Sequence, residues 1–173
     1  ADSLAQFYRD YPFDQFIFIR QWSLLLAPLL TLPPADRIAP VIEAVLSAEL
    51  TGCGELRVEY PETNDGKTLS TLARKLTVPL RQALRQAGVL TLKEQKRAPV
   101  LHLFMLSGQQ GYVGLSYPEN NSPLENGIMR LKFPNEAPSR STLKLEEAFI
   151  QFIPKHEWDK RLAGGMNAVD LGA

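Results

Sequence analysis

Residues 99–117 read PVLHLFMLSGQQGYVGLSY, and this stretch decides the fold class. Pro99–Leu106 and Tyr112–Tyr117 are apolar and aromatic runs, and Gly108 and Gly111 bracket the gap between them. That spacing predicts a β-hairpin around a Gly108–Gly111 turn. Upstream, Leu56, Val58 and Tyr60 alternate with Glu55, Arg57 and Glu59, the pattern of a strand with one buried face. Lys67–Leu76 and Pro79–Ala87 follow, with apolar residues at 69, 72, 73, 76, 80, 83, 84 and 87. They predict two helices, or one helix broken before Pro79, because proline lacks an N–H and disfavours helix in the residue before it. Gly88 supplies the stop. Ahead of Gly52-Cys53-Gly54, a turn, Ala35–Leu50 carries apolar residues at 38, 41, 42, 45 and 46, a second helical stripe. Helices and strands mixed in this order predict an α+β architecture.

The flanks read less regularly. Leu4–Arg9 is the end of a helix stopped at Tyr11-Pro12. Phe13–Leu30 reads as a long buried strand with Phe16-Ile17-Phe18-Ile19 at its heart. Pro118–Pro138 is a loop-rich linker. Ser141 is placed to cap a helix over Thr142–Phe152, and a shorter helix is expected over His156–Leu162. Ala168-Val169-Asp170-Leu171-Gly172-Ala173 is a short apolar strand running into the first glycine of a nucleotide-type loop. A lone strand there has no partner, and the first elements also lack predecessors, so the expectation is a fragment of a larger protein.

Composition bounds the function. The chain has 173 residues, 45% apolar and 22% charged, an ordinary globular profile long enough for a real core. Its longest apolar runs, such as Leu24–Leu30, are far short of a membrane span, and no signal peptide precedes them. The single cysteine, Cys53, rules out an internal disulfide, and Cys53, His102 and His156 make no convincing metal set, so no metal is expected. These features fit a cytoplasmic protein with no membrane partner.

Nineteen basic and nineteen acidic side chains cancel, but they are not mixed evenly. Residues 67–97 hold eight basic groups (Lys67, Arg74, Lys75, Arg81, Arg85, Lys93, Lys96 and Arg97) against one acid, Glu94. Such a block either neutralises phosphates or forms a solvated helix face. Lys67, Arg74, Arg81 and Arg85 line one outer stripe if the helical axis is nearly continuous. The block has no aromatic residue, so it suits phosphate positioning better than base reading. His102 in its strand reads as a satisfied sheet histidine, Cys53 as an inert thiol, and Trp22 and Trp158 as packing residues. Lys144 lies off the apolar Leu145–Ala148–Phe149–Phe152 face, beside Glu147 and Gln151, and taken alone is a surface lysine.

Context changes that reading. Arg140-Ser141 and Lys144-Leu145, followed 26 residues after Lys144 by Asp170 of Val-Asp-Leu-Gly-Ala, resemble the FtsJ-like RNA 2′-O-ribose methyltransferases. Further stretches are similar to the members of that family that act on large-subunit ribosomal RNA: Pro34–Ile38, Gly54–Glu59, Leu76–Arg81, Arg130–Pro134 and Trp158–Ala163. The resemblance covers nearly the whole chain. It implies the second half of a ferredoxin-like domain over 1–32, a THUMP RNA-binding domain over 33–117, a linker over 118–138, and the first helices and first strand of a truncated Rossmann-like methyltransferase domain over 139–173.

The implied activity is S-adenosylmethionine-dependent methylation of a cytidine 2′-oxygen in bacterial 23S rRNA, by a monomer whose catalytic domain is incomplete here. Lys144 matches the first lysine of the family's Lys-Asp-Lys-Glu tetrad. Ser141, Asp170, Gly172 and Ala173 match cofactor-binding positions. Lys67, Arg74, Lys75, Arg81, Arg85, Lys96, Arg97 and Arg140 are the expected RNA contacts. The fragment alone is expected to be inactive. Two other readings stay open at this stage: a stand-alone RNA-binding THUMP-like module, and a dinucleotide-binding oxidoreductase fragment whose terminal strand opens a Gly-x-Gly-x-x-Gly loop.

Overall fold

The computed structural model describes residues 6, 8, 10–133, 135, 136 and 139–165. It divides into two compact units, Ala1–Ile128 and Met129–Ala173.

The first unit is built on one mixed sheet. Its strands are β1 (Leu24–Leu25), β2 (Leu30–Thr31), β3 (Glu55–Glu59), β4 (Val100–Met105) and β5 (Gln110–Ser116). The path across the sheet is β1-β5-β4-β3, with β2 also on the outer edge of β5. β4 and β5 form the expected hairpin, antiparallel from Val100↔Ser116 to Met105↔Gly111. β3 runs parallel to β4, from Glu55↔Val100 to Glu59↔Phe104, and the parallel pairing needs a crossover. Helices α2 (Asn64–Lys67) and α3 (Ser70–Gln86) make it, and α1 (Ile38–Ser47) lies beside α3.

Period-two alternation sends Leu56, Leu101, Leu103, Met105, Val113 and Leu115 to the helix side. There they meet Val41 and Val45 of α1 and Ala73, Leu76, Leu80 and Leu84 of α3. Helix α3 closes at Gly88, whose φ of 75° is a left-handed conformation that glycine adopts without a Cβ clash.

Three expectations change here. The stretch Phe13–Leu30 is not one buried strand. Phe13–Gln15 is a short 3₁₀ turn, and Ile17 and Phe18 are 89% and 95% exposed. A strand needs a ladder partner, and the free edge of β5 is taken by Leu24–Leu25 and Leu30–Thr31 instead. Pro28, with no N–H to donate, separates those two pieces. Second, Pro79 does not break a helix: α3 runs through it, and the interruption comes earlier, between Lys67 and Ser70. Pro79 and Lys75 are both exposed, so the Lys75 carbonyl that loses its helical donor faces water. Third, β3 is not buried on one face only, because Arg57 and Glu59 are as dry as Leu56.

The second unit contains α4 (Ser141–Phe152), a 3₁₀ turn over Lys155–Glu157 and α5 (Trp158–Arg161). Ser141 is the first residue of α4 rather than its cap: Arg140 takes the cap position, and the Ser139 hydroxyl accepts from the Ser141 N–H at 3.2 Å. Trp158 Nε1 donates to the Ile153 carbonyl at 2.9 Å and ties α5 back onto the end of α4.

Candidate nucleic-acid interface

The uninterrupted α3 sets the geometry of the cationic block. On one helix, positions 74, 78, 81 and 85 fall along a single stripe. Arg74 and Val78 are exposed, and Arg81 and Arg85 are half-buried. Lys75 is exposed beside the stripe, and Lys67 is exposed on α2 before it. Lys96 and Arg97 are exposed in the loop between Leu90 and β4. The predicted residues therefore reach solvent as a group, with one qualification: Arg85 Nε donates to the Thr91 carbonyl at 3.2 Å and so also holds the turn after the helix.

Sequence reasoning missed the other side of the sheet. Arg57 is 5% exposed and pairs with Glu55 through two bonds, 2.7 and 3.2 Å. Its remaining N–H groups donate to the carbonyls of Ser122, Pro123 and Leu124 at 3.0 to 3.3 Å. Next to it, a chain of hydrogen bonds crosses three strands. Asn121 Nδ2 donates to Ser116 Oγ at 2.6 Å, Ser116 Oγ meets His102 Nε2 at 2.6 Å, and His102 Nδ1 meets Glu59 Oε2 at 2.7 Å. Glu59 Oε1 accepts the Asn126 N–H at 2.7 Å. The Asn121 amide, the Ser116 hydroxyl, both ring nitrogens of His102 and both oxygens of Glu59 are thus all engaged.

A serine, a histidine and a carboxylate in this order resemble a nucleophilic triad, but Ser116 is fully buried and cannot meet a substrate. The network is a clasp that fastens residues 118–127 to the sheet. Burial pushes the Glu59 carboxyl up. The hydrogen bond and charge of His102, the Asn126 N–H and the Arg57 guanidinium outweigh that and hold it below the usual carboxylate range. The expectation of a satisfied sheet histidine at His102 holds. So does the inert reading of Cys53, which is fully buried, with its thiol pushed up by that burial.

The residues assigned to the catalytic entrance lie in the second unit. Arg140, Ser141 and Lys144 are exposed, and Ser141 and Lys144 stand one turn apart on the same side of α4. The apolar face of that helix is largely uncovered, with Leu145 and Phe152 54% and 80% exposed. Asp170, Gly172 and Ala173 lie outside the described residues. Among the described residues, no group of three or more His, Cys, Asp or Glu side chains could hold a metal ion, and no helix is long and apolar enough to cross a membrane.

Of this network the sequence marks His102 as a satisfied sheet histidine, while the alternation of β3 puts Arg57 and Glu59 on its unburied face. Arg57, Glu59, His102 and Ser116 sit on alternate strand positions, where polar residues ordinarily mark the wet face. Only the cover of residues 118–127 makes that face an interior.

Residues 36–117 match the family described as "Ribosomal RNA large subunit methyltransferase M, N-terminal". The whole chain aligns at 53% identity over 173 residues with Ribosomal RNA large subunit methyltransferase M of Serratia proteamaculans, covering 46% of that protein. The proteins of the same name from Klebsiella pneumoniae and Shigella sonnei are each 56% identical over 165 residues, 95% of this chain and 45% of the relative. The chain thus spans a little under half the length of the curated relatives it matches. Taken with the resemblance seen in the sequence, these matches show that residues 36–117 belong to the ribosomal RNA large subunit methyltransferase M family, as its N-terminal domain.

Proposed function

We propose that this chain is the RNA-holding part of an enzyme that methylates large-subunit ribosomal RNA, acting on a cytidine ribose 2′-oxygen of 23S rRNA with S-adenosylmethionine. The carrying observation is that the family match over 36–117 and the continuous cationic stripe of α3 fall in the same stretch. In this reading residues 33–117 are a THUMP domain and residues 1–32 the second half of a ferredoxin-like domain. The exposed Ile17 and Phe18 suit a sheet that further chain completes. Residues 118–138 lead on, and 139–173 open a Rossmann-like domain. The enzyme works as a monomer in the cytoplasm, where its ribosomal RNA is.

Lys67, Arg74, Lys75, Arg81, Lys96 and Arg97 hold phosphates and fix the register of the RNA without reading bases. Arg85 shares that task with its structural bond, and the exposed Arg140 is a further phosphate contact within the second unit. An exposed hydroxyl and an exposed ammonium one turn apart, Ser141 and Lys144, suit the approach to a cofactor and a ribose. Ser141, with Asp170, Gly172 and Ala173, would hold S-adenosylmethionine, which when bound supplies an electrophilic sulfonium methyl group. Lys144 orients the ribose hydroxyl and stabilises the charge that develops on its oxygen.

The test uses the full-length protein, labelled S-adenosylmethionine and protein-free 23S rRNA, with the label located by nuclease digestion and mass spectrometry. The expected result is label on a cytidine 2′-oxygen, and a loss of at least about a hundredfold in rate for Lys144→Ala. A folded protein that binds the RNA and transfers nothing would reduce the chain to an RNA-binding module.

A further inference from the structure

On the sheet face away from the helices, the strands frame a cleft of about 530 Å³. That volume lies within the range of small-ligand sites and accommodates one nucleotide. We propose that it is a pocket for a single unpaired RNA base, with Phe104 and Tyr112 as the stacking surface and Arg20 as the contact to the adjoining phosphate. The proposal rests on the RNA reading above and adds a second, base-directed contact to it.

Phe104 and Tyr112 are direct partners on β4 and β5, and both are half-buried, so each ring offers part of its surface to the cleft. Trp22 and Leu25 form a further wall, and Leu25 is 55% exposed. The polar groups at the rear are already used. Both ring nitrogens of His102 are hydrogen-bonded, and so are both oxygens of Glu59, the one carboxylate in the lining.

The polar groups left free in the lining include the Arg20 guanidinium, the Tyr112 hydroxyl and the Ser23 hydroxyl. Among the described residues neither the Arg20 guanidinium nor the Tyr112 hydroxyl has a hydrogen bond or an ion pair, and both line the cleft. An aromatic wall with one unengaged cation at its mouth matches a base followed by a phosphate. A purely apolar peptide would leave the cation without a role. The α3 stripe holds phosphates but has no aromatic residue, and it stands on the opposite side of the same sheet. The two contacts can therefore be broken independently.

The experiment measures binding of the full-length protein to a fluorescein-labelled single-stranded oligouridylate of about eight nucleotides, by anisotropy across a salt series. Tyr112→Leu should weaken binding about tenfold, and Tyr112→Trp, which keeps a stacking face, should restore most of it. Arg20→Ala should reduce the slope of log affinity against log salt by about 0.7. Photocrosslinking with 4-thiouridine should label the peptides that carry Phe104 or Tyr112.

If Arg74→Glu with Arg81→Glu weakens binding while Tyr112→Leu leaves it unchanged, the pocket is rejected and the RNA reading stands. If Tyr112→Leu lowers the melting temperature but not the affinity, another part of the protein fills the cleft and the proposal fails. A loss of binding that Tyr112→Trp does not rescue also overturns it. If the unaltered protein binds no RNA, the broader reading falls, and the pocket with it.

Discussion

The two faces of the sheet in the first unit each carry a set of buried residues, and those sets are held in opposite ways. On the helix side, Leu101, Leu103, Met105 and Val113 are 1% exposed or less, and what fixes them is apolar contact. On the other side, Arg57, Glu59, His102 and Ser116 are 5% exposed or less, and what fixes them is a set of directed hydrogen bonds. Apolar packing has no strong directional demand and tolerates exchange among residues of similar volume. A buried polar network tolerates very little, because each lost partner strands another group in a dry place. The polar face is therefore the one that dictates a single path for residues 118–127.

The largest effect should come from the apolar face. Leu103→Ala removes a fully buried side chain between two sheet neighbours and should cost about 2–5 kcal/mol in urea unfolding at neutral pH. Leu103→Met should cost less than about 1.5 kcal/mol, because volume is nearly kept. On the polar face, Arg57→Ala leaves the Ser122, Pro123 and Leu124 carbonyls without their donor and should cost about 1–3 kcal/mol. The conservative Arg57→Lys should recover little, since one ammonium cannot reproduce the fork that spans Glu55 and three carbonyls. If Arg57→Lys were as stable as the parent, the clasp would be a matter of charge and not of geometry, and the contrast between the faces would weaken.

How far the sequence could be read follows the same division. Local signals were enough wherever the apolar pattern and the chain agree: the hairpin from the paired apolar runs and their glycines, α1 and α3 from their 3.6-residue stripes, β3 from its alternation. They failed where the outcome depends on what lies on top. Arg57 and Glu59 carry the pattern of a wet face, and no local feature announces that Asn121 and Ser122 will cover them. Phe16–Ile19 carries the pattern of a buried strand, but strand formation is decided by a partner, and β1 and β2 occupy the edge of β5. For the candidate site, charge counting alone marked the cationic block. Its alignment into a stripe depended on Pro79 being tolerated inside α3, which the sequence left open. Phe104 and Tyr112 were legible as strand residues, but the cleft between them and Trp22 is a property of tertiary packing.

Acid should separate the two faces next. The native Glu59 carboxyl sits below its unfolded value, so its contribution is fully present above about pH 4.3, the unfolded value. It is lost as the pH falls through the lower native value, because the unfolded chain takes up the proton first. Unfolding of the parent should therefore steepen in its pH dependence below about pH 4.3, and Glu59→Gln should remove part of that steepness while costing stability at pH 7. The Leu103→Ala cost should be the same at both pH values. A pH profile for Glu59→Gln that runs parallel to the parent would mean that the His102–Glu59 contact carries no charge preference.

The smallest effect on stability is expected outside both faces, and it separates what α3 does for the fold from what its outer stripe does for a ligand. Arg74→Glu together with Arg81→Glu changes an exposed and a half-buried group, neither of which makes a hydrogen bond or an ion pair with its side chain among the described residues, so the melting midpoint should move by no more than about 0.5 kcal/mol in equivalent stability. RNA affinity should nonetheless fall, with a flatter dependence on salt, because two phosphate contacts and the counterions they release are gone. Arg85→Glu makes the internal control. Its guanidinium also holds the Thr91 carbonyl, so this substitution should lower stability as well as affinity. Equal losses of stability at positions 74, 81 and 85 would mean that the stripe is part of the scaffold. Loss confined to Arg85 leaves Arg74 and Arg81 with no structural task, and a partner carrying phosphates is then what explains their alignment.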